Sequence, residues 1–527
     1  MNRLHVTIFA LFGLAAIWVS SLPFAGSTKL FLSPDETAVY QSAKAIAQSG
    51  DGGLMDERLR QFPWLHARSF VTVENKAVPV GFIGMPLLVS AGMRIGLPWL
   101  ATVYTPIAVL IVGYLFWMWS KGMSSWVRIL TVLTWFTLPN VIVYANRGLF
   151  PNLITVCFTA IAAFLIWEKR SVSRAVFSGI LFALACTIRP IDVFWMIPWV
   201  ACAWFVRRDC EKKKENRFIR YWILAASLIA LIAIVVHVRT LGSLFHIGYF
   251  LRDPAIVGDQ ATTTAQIRAT APVQNWFPFG IHPMHVWFNI RQYVIGMLWP
   301  WVLLMCAAAV FQWKVIRRSP WTGLFVWTVA STVAVYGQGV YQDHIGVNVV
   351  SIGNSFLRYI LPVAVFVPAG VALFLQKIDA LDIRFLKVIC GSMIAACAGL
   401  GFVMAYVLGS ESIQASAATL RGYEAIQRVF VHPSQSDAVI FSDRSDKIFF
   451  TTHTKPVSPM PPLREIARFK QAYPTTQLYY FGRPLMDDAL VDWAAQGLTL
   501  KAQFSAGNEV MYTIQDLGSG SIQNVIK

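Results

Sequence analysis

Apolar runs long enough to cross a bilayer alternate with short polar segments along most of this chain. Runs at 5–23, 98–120, 126–144, 149–167, 175–188, 193–206, 221–238, 293–313, 321–340, 358–376 and 388–408 predict eleven membrane spans. Most approach the roughly 20 residues that a helical span needs. The first run begins behind Met-Asn-Arg and is read as a retained span, in preference to a signal peptide cleaved near Phe24-Ala25-Gly26-Ser27. Either reading puts the polar segment 24–77 outside. Runs 175–188 and 193–206 are short and meet at Ile188-Arg189-Pro190-Ile191-Asp192. Their shared outer turn is expected below the membrane surface, with Arg189 and Asp192 in a cavity.

One apolar stretch, 78–96, breaks the series. If it crosses, Lys121, Arg174, Arg208, Lys314, Arg317, Arg318 and Lys387 all face outward. If it does not, they face the cytoplasm, as the positive-inside bias requires. The stretch is therefore an interfacial or re-entrant helix on the outer face, and Gly81, Gly84, Pro86 and Gly92 suit a short broken element.

After residue 408 the pattern changes. Strands at 437–441 and 477–481, helices at 463–472 and 486–496, and a hairpin over 498–504 and 509–514 predict a small soluble α/β domain. The chain thus divides into a transmembrane domain, 1–408, whose first outer loop is 24–97, and an extracytoplasmic domain, 409–527.

Composition agrees. With 56% hydrophobic and 13% charged residues, this is a polytopic α-helical membrane protein and not an ordinary soluble one. The net charge of +17 lies mostly in short loops, so it reports orientation rather than nucleic-acid binding. The seven cysteines fall in spans or basic loops, which implies no disulfide framework. The sequence carries no glycine fingerprint, P-loop, metal-finger spacing or internal repeat.

The placement of charge carries the chemistry. No Asp, Glu, Lys or Arg lies mid-span, which counts against a coupled transporter. Lys76, Arg147, Arg189, Arg239, Arg291 and Arg358 instead fall at the outer ends, with Asp35, Glu36, Asp192 and Asp343. Cations there suit a lipid phosphate, and a carboxylate facing them suits a general base. Ser33-Pro34-Asp35-Glu36 reads first as a capping box, with Ser33 as N-cap, Pro34 at the first helical position and Glu36 three residues on. The cap accounts for every residue but Asp35. Weaker candidates are His282-Pro-Met-His285 as a metal spacing, the loop 241–290 as a segment ordered by substrate, and Asp443-Arg444 after the first strand of the soluble domain.

This layout resembles the GT-C superfamily of integral-membrane glycosyltransferases, which includes protein O-mannosyltransferases and the aminoarabinose transferases of lipid A. Ser33-Pro34-Asp35-Glu36 followed by Tyr40 is similar to the acidic pair on the family's first juxtamembrane helix. Lys76-Ala77-Val78-Pro79-Val80-Gly81 looks like a loose version of the entry to its second. Arg358-Tyr359 leading into Pro362 is similar to its arginine near the donor phosphate. Many members carry a second acidic residue where this chain has Asn152. No cofactor is fixed; a divalent cation, if one binds, would fall to Asp35 and Asn152.

The resemblance implies sugar transfer from a polyprenyl-phosphate-linked donor to a glycan, lipid or protein acceptor on the outer face of a bacterial inner membrane. Asp35, or less favourably Glu36, would be the base. Arg358, Lys76 and Arg189 would bind the donor phosphate, and Tyr40, Asp192 and Tyr359 would line the cavity. The rival readings are a polytopic lipid or glycan transporter and an O-antigen ligase or polymerase-like protein, which would place its critical arginines and histidine in a late outer loop.

Overall fold

The computed structural model describes residues 30–168, 171–206, 212–244, 246, 280–341, 350–430, 437–450 and 454–516. The expected first span, the polar middle of loop 241–290 and Asp343 lie outside the described residues. The chain forms two compact units, residues 1–28, 87–235 and 267–417 in one and 29–86, 236–266 and 418–527 in the other.

The first unit is helical. Leu100–Trp119, Pro151–Glu168, Asn216–Leu241, Leu361–Ala380 and Arg384–Tyr406 are each long and apolar enough to cross a membrane. Three further helix pairs qualify only when each is taken together across a bend: Ser125–Thr137 with Pro139–Ala145, Val172–Ile188 with Pro190–Val206, and Pro283–Met297 with Trp299–Phe311. Each break coincides with a proline, which lacks the N–H that an unbroken ladder needs. The helices are those of an integral membrane protein. Close approach between them is made by glycine: a Cβ at Gly179 would strike the Trp222 carbonyl, and one at Gly401 the Thr137 carbonyl.

The bend of 116° between the second pair confirms two short helices meeting at a tight turn, Pro190–Asp192. The stretch 78–96 differs from its expectation in detail. Lys76–Pro79 is a strand, paired antiparallel with Phe70–Val73, and the helix covers only Gly84–Arg94. Val78 and Val80 alternate with Ala77 and Pro79 on a pleated surface, so the entry to the helix is extended. At 11 residues the helix is too short to span.

The second unit joins residues 29–86 to the C-terminal sheet. Helix Pro34–Ser49 starts at Ser33, whose side chain accepts from the Asp35 N–H, and ends at Gly50, held in the left-handed region at φ 76°. Next comes a three-stranded antiparallel sheet, with Lys76–Pro79 central between Leu54–Met55 and Phe70–Val73. The C-terminal sheet has five strands in the order Thr454–Val457, Ala438–Ser442, Gln477–Gly482, Glu509–Asp516 and Leu498–Ala506. The first three are parallel, and the last two close the sheet as an antiparallel hairpin. Strand Thr454–Val457 is the one element of this sheet that the alternation did not reveal, because Pro456 interrupts the run; the strand lies at the sheet edge, where proline is tolerated.

The loop and the sheet share one core. Leu59, Phe62, Trp64, Leu65 and Phe70 pack with Phe441, Ile466, Phe469 and Tyr480. Phe62 meets Phe469 edge-on at 5.0 Å between ring centroids, a favoured aromatic geometry.

Candidate active site

The Asp35 helix brings the expected carboxylates to its first turn and separates their fates. Asp35 is exposed and Glu36 is buried. The Ser69 hydroxyl donates to Asp35 Oδ1 at 2.7 Å. Asp35 Oδ2 takes no hydrogen bond from any described residue, so one oxygen is held and the other is open. An ionised carboxylate in that state can orient and still accept a proton. Tyr40, one helical turn on, is half-buried against Phe31 at 5.3 Å, and burial pushes its phenol up. It can donate a hydrogen bond but not act as a base at neutral pH. Lys76 forms an ion pair with Asp51 and donates to the Arg239 carbonyl at 3.2 Å.

The remaining expected residues lie in the helical unit. Arg189 and Asp192 are both buried and are joined through Nε and Oδ2 at 2.7 Å. The Tyr336 hydroxyl completes the group: it accepts from Arg189 Nη2 and donates to Asp192 Oδ1, each at 2.5 Å. A pair of buried charges is tolerable only with such satisfied partners. Tyr336 stacks on Tyr359, 4.2 Å between centroids and 8° from parallel. Arg358 donates to the Tyr359 hydroxyl at 3.0 Å and lies 4.4 Å from the Phe150 ring centroid. Arg189, Asp192, Arg358 and Tyr359 are thus brought together. The residue that links them, Tyr336, is hidden in the sequence because it sits inside an apolar run.

Arg147, another of the cations expected at the outer ends, pairs with Glu411 at 3.8 Å. Glu411 also takes a hydrogen bond from Ser351. It lies just beyond the last helix of the unit, and no local motif singles it out.

The two residues expected to hold a cation, Asp35 and Asn152, belong to different units. Asn152 is buried and its Oδ1 has no hydrogen-bond partner among the described residues, as a ligand atom would require. Yet no group of three His, Cys, Asp or Glu side chains comes together among the described residues. His282 and His285 are tied instead to Gln338, His282 through its backbone N–H to the amide oxygen and His285 through Nδ1 to the carbonyl.

Solved structures share this fold. The chain superposes on ArnT from Cupriavidus metallidurans bound to undecaprenyl phosphate with a TM-score of 0.57 at 12% identity, covering 97% of this chain and 98% of that one. The apo state of the same protein gives 0.52 at 13% identity, with 96% and 97% covered. An Archaeoglobus fulgidus oligosaccharyltransferase tethered to an acceptor peptide is more distant: its TM-score is 0.49 at 12% identity, with 97% of this chain and 74% of that one covered. No protein-family model and no curated protein matches. The chain shares its fold with these two ArnT structures, and its helices are those of an integral membrane protein.

Proposed function

We propose that this protein is a membrane glycosyltransferase that moves a sugar from a polyprenyl-phosphate-linked donor to a glycan, lipid or protein acceptor. The transfer takes place on the outer face of a bacterial inner membrane, and eleven spans carry the catalytic unit. The observation that carries the reading is Asp35: an exposed carboxylate on a capped first turn, with Oδ1 held by Ser69 and Oδ2 open. The fold it shares with a protein bound to undecaprenyl phosphate supports the donor class.

The reaction is a single inverting displacement. Asp35 takes the proton of the acceptor hydroxyl as that oxygen attacks the anomeric carbon. The carbon–oxygen bond to the phosphate breaks with its electron pair on oxygen, which releases the polyprenyl phosphate. Arg358 meets the charge that develops there, since a guanidinium binds phosphate through paired charge-assisted hydrogen bonds. Lys76 and Arg189 are the other candidates for that role; each already has a carboxylate partner, so a phosphate would have to compete with it. No step is routed through a cation.

The test is to incubate the purified protein with radiolabelled polyprenyl-phosphate sugars and acceptor-containing membranes. Label leaving the lipid in wild type and retained in Asp35→Asn is expected. Label retained with every donor would overturn the reading and favour the transporter, for which movement of labelled lipid across vesicles is the matching assay.

A further inference from the structure

The C-terminal sheet has a use that its position in the sequence does not suggest. Its first strand, Ala438–Ser442, leads into a single tight turn, Asp446–Ile448. All three residues of that turn are anchored. Ile448 is wholly buried, in a core with Phe430 and Phe449. Asp446 is wholly buried too; its Oδ2 accepts from the Arg68 backbone N–H at 3.0 Å and its Oδ1 from Arg68 Nη2 at 3.4 Å. Lys447 Nζ donates to the Leu32 carbonyl at 2.8 Å.

Both outward contacts end one residue away from a group that holds the Asp35 helix. Leu32 immediately precedes Ser33, the residue that caps that helix. Arg68 immediately precedes Ser69, whose hydroxyl holds Asp35 Oδ1, and the Ser69 carbonyl accepts from Val80 N–H at 3.0 Å. A buried carboxylate that grips a backbone N–H fixes the peptide plane it grips, and the next residue has little freedom left. The loop leading to Arg68 is gripped as well: the Ser458 N–H donates to the His66 carbonyl at 3.1 Å, and Arg58 pairs with Asp437 at 3.0 Å. A buried ion pair alone could be a plain structural staple. Here one turn fixes both the start of the helix and the partner of its carboxylate.

We propose that the C-terminal sheet is the clamp that aims Asp35, with Asp446 and Lys447 as positioning residues that act through Ser69 and the helix cap. The proposal rests on Asp35 being the base, because it assigns a purpose to the orientation of that side chain. Ser69 has a single proton to donate, and giving it to Oδ1 leaves Oδ2 for the acceptor hydroxyl. Small errors in aim are expensive in rate: a misplacement of about 1 Å can cost on the order of 100-fold.

The test uses the full chain in detergent or nanodiscs, with Lys447→Met, Asp446→Asn, Ser69→Ala and Ser69→Thr. Hydrogen exchange of the amides in 33–49 is read first, since it needs no substrate. Lys447→Met and Asp446→Asn should raise it by about 10-fold, as a locally released helix does, while exchange in Leu100–Trp119 stays at the wild-type rate. Turnover of a radiolabelled polyprenyl-phosphate sugar is read second. Ser69→Ala should lower kcat by roughly 10- to 100-fold with donor KM within about 2-fold, and Ser69→Thr should restore most of it. Unchanged exchange in Lys447→Met and Asp446→Asn overturns the clamp. So does a loss in Ser69→Thr equal to that in Ser69→Ala. If wild type releases no label, the reading of Asp35 falls, while the exchange measurement still decides whether the turn holds the helix.

Discussion

The two units treat carboxylates in opposite ways. In the helical unit, Asp192 is closed in: Arg189 takes one oxygen, Tyr336 the other, and all three groups are buried. In the other unit, Asp35 is left half open, one oxygen held by Ser69 and the other exposed. A closed, neutral network has no spare acceptor, and it holds Tyr336 in its stack on Tyr359, beside Arg358. A half-open carboxylate is oriented and still reactive. Burial and pairing therefore separate two similar carboxylates, one closed by its partners and one left half open.

The contrast is tested most strongly by neutralising each carboxylate in turn. Asp35→Asn should lower kcat by about 10²- to 10⁴-fold, the range of a general base, with no change in the melting temperature of the detergent-solubilised protein. Wild-type turnover in that variant would remove Asp35 from the mechanism. Asp192→Asn should do the reverse: it leaves Arg189 buried without its counter-charge and costs about 3–5 kcal/mol of stability, read by thermal unfolding. A variant as stable as wild type would show that the network is not closed. Arg358→Ala should reduce kcat/KM by roughly 10- to 100-fold, the loss of a charge-assisted hydrogen bond worth about 1.5–3 kcal/mol. The loss should depend on the donor lipid when that is varied; kinetics indifferent to the donor would count against Arg358 at the phosphate. Tyr336→Phe is the mildest. It takes the bridging hydroxyl from Arg189 and Asp192 but keeps the stack on Tyr359, so about 1–3 kcal/mol of stability should go, with kcat nearly kept.

The same contrast shows how far the residues speak for themselves. The start of the Asp35 helix was legible because Ser33, Pro34 and Glu36 fit a capping box, and the N-cap is indeed Ser33. The turn at Pro190 was legible because two short apolar runs meet there; that Arg189 pairs with Asp192 at that turn was not. Ser69, Asp446 and Tyr336 were not legible. Each is an ordinary residue in its own segment and gains its meaning from a partner that is 34, 378 or 144 residues away.

Local periodicity and the choice of solvent account for much of the molecule without any long-range contact. Apolar runs of span length, the basic loops between them, the short helix near 84–94, and the alternating strands of the C-terminal region all arise from residues acting within one turn or one pleat. Which segments share a core was settled by packing in three dimensions. Residues 29–86 read as a loop of the membrane domain, and they fold with 418–527 as one unit because Phe62, Trp64 and Phe70 find their apolar partners on a sheet formed nearly 400 residues later. Burial of apolar area is indifferent to distance along the chain, so no local pattern could have shown that the last domain holds the helix near the first.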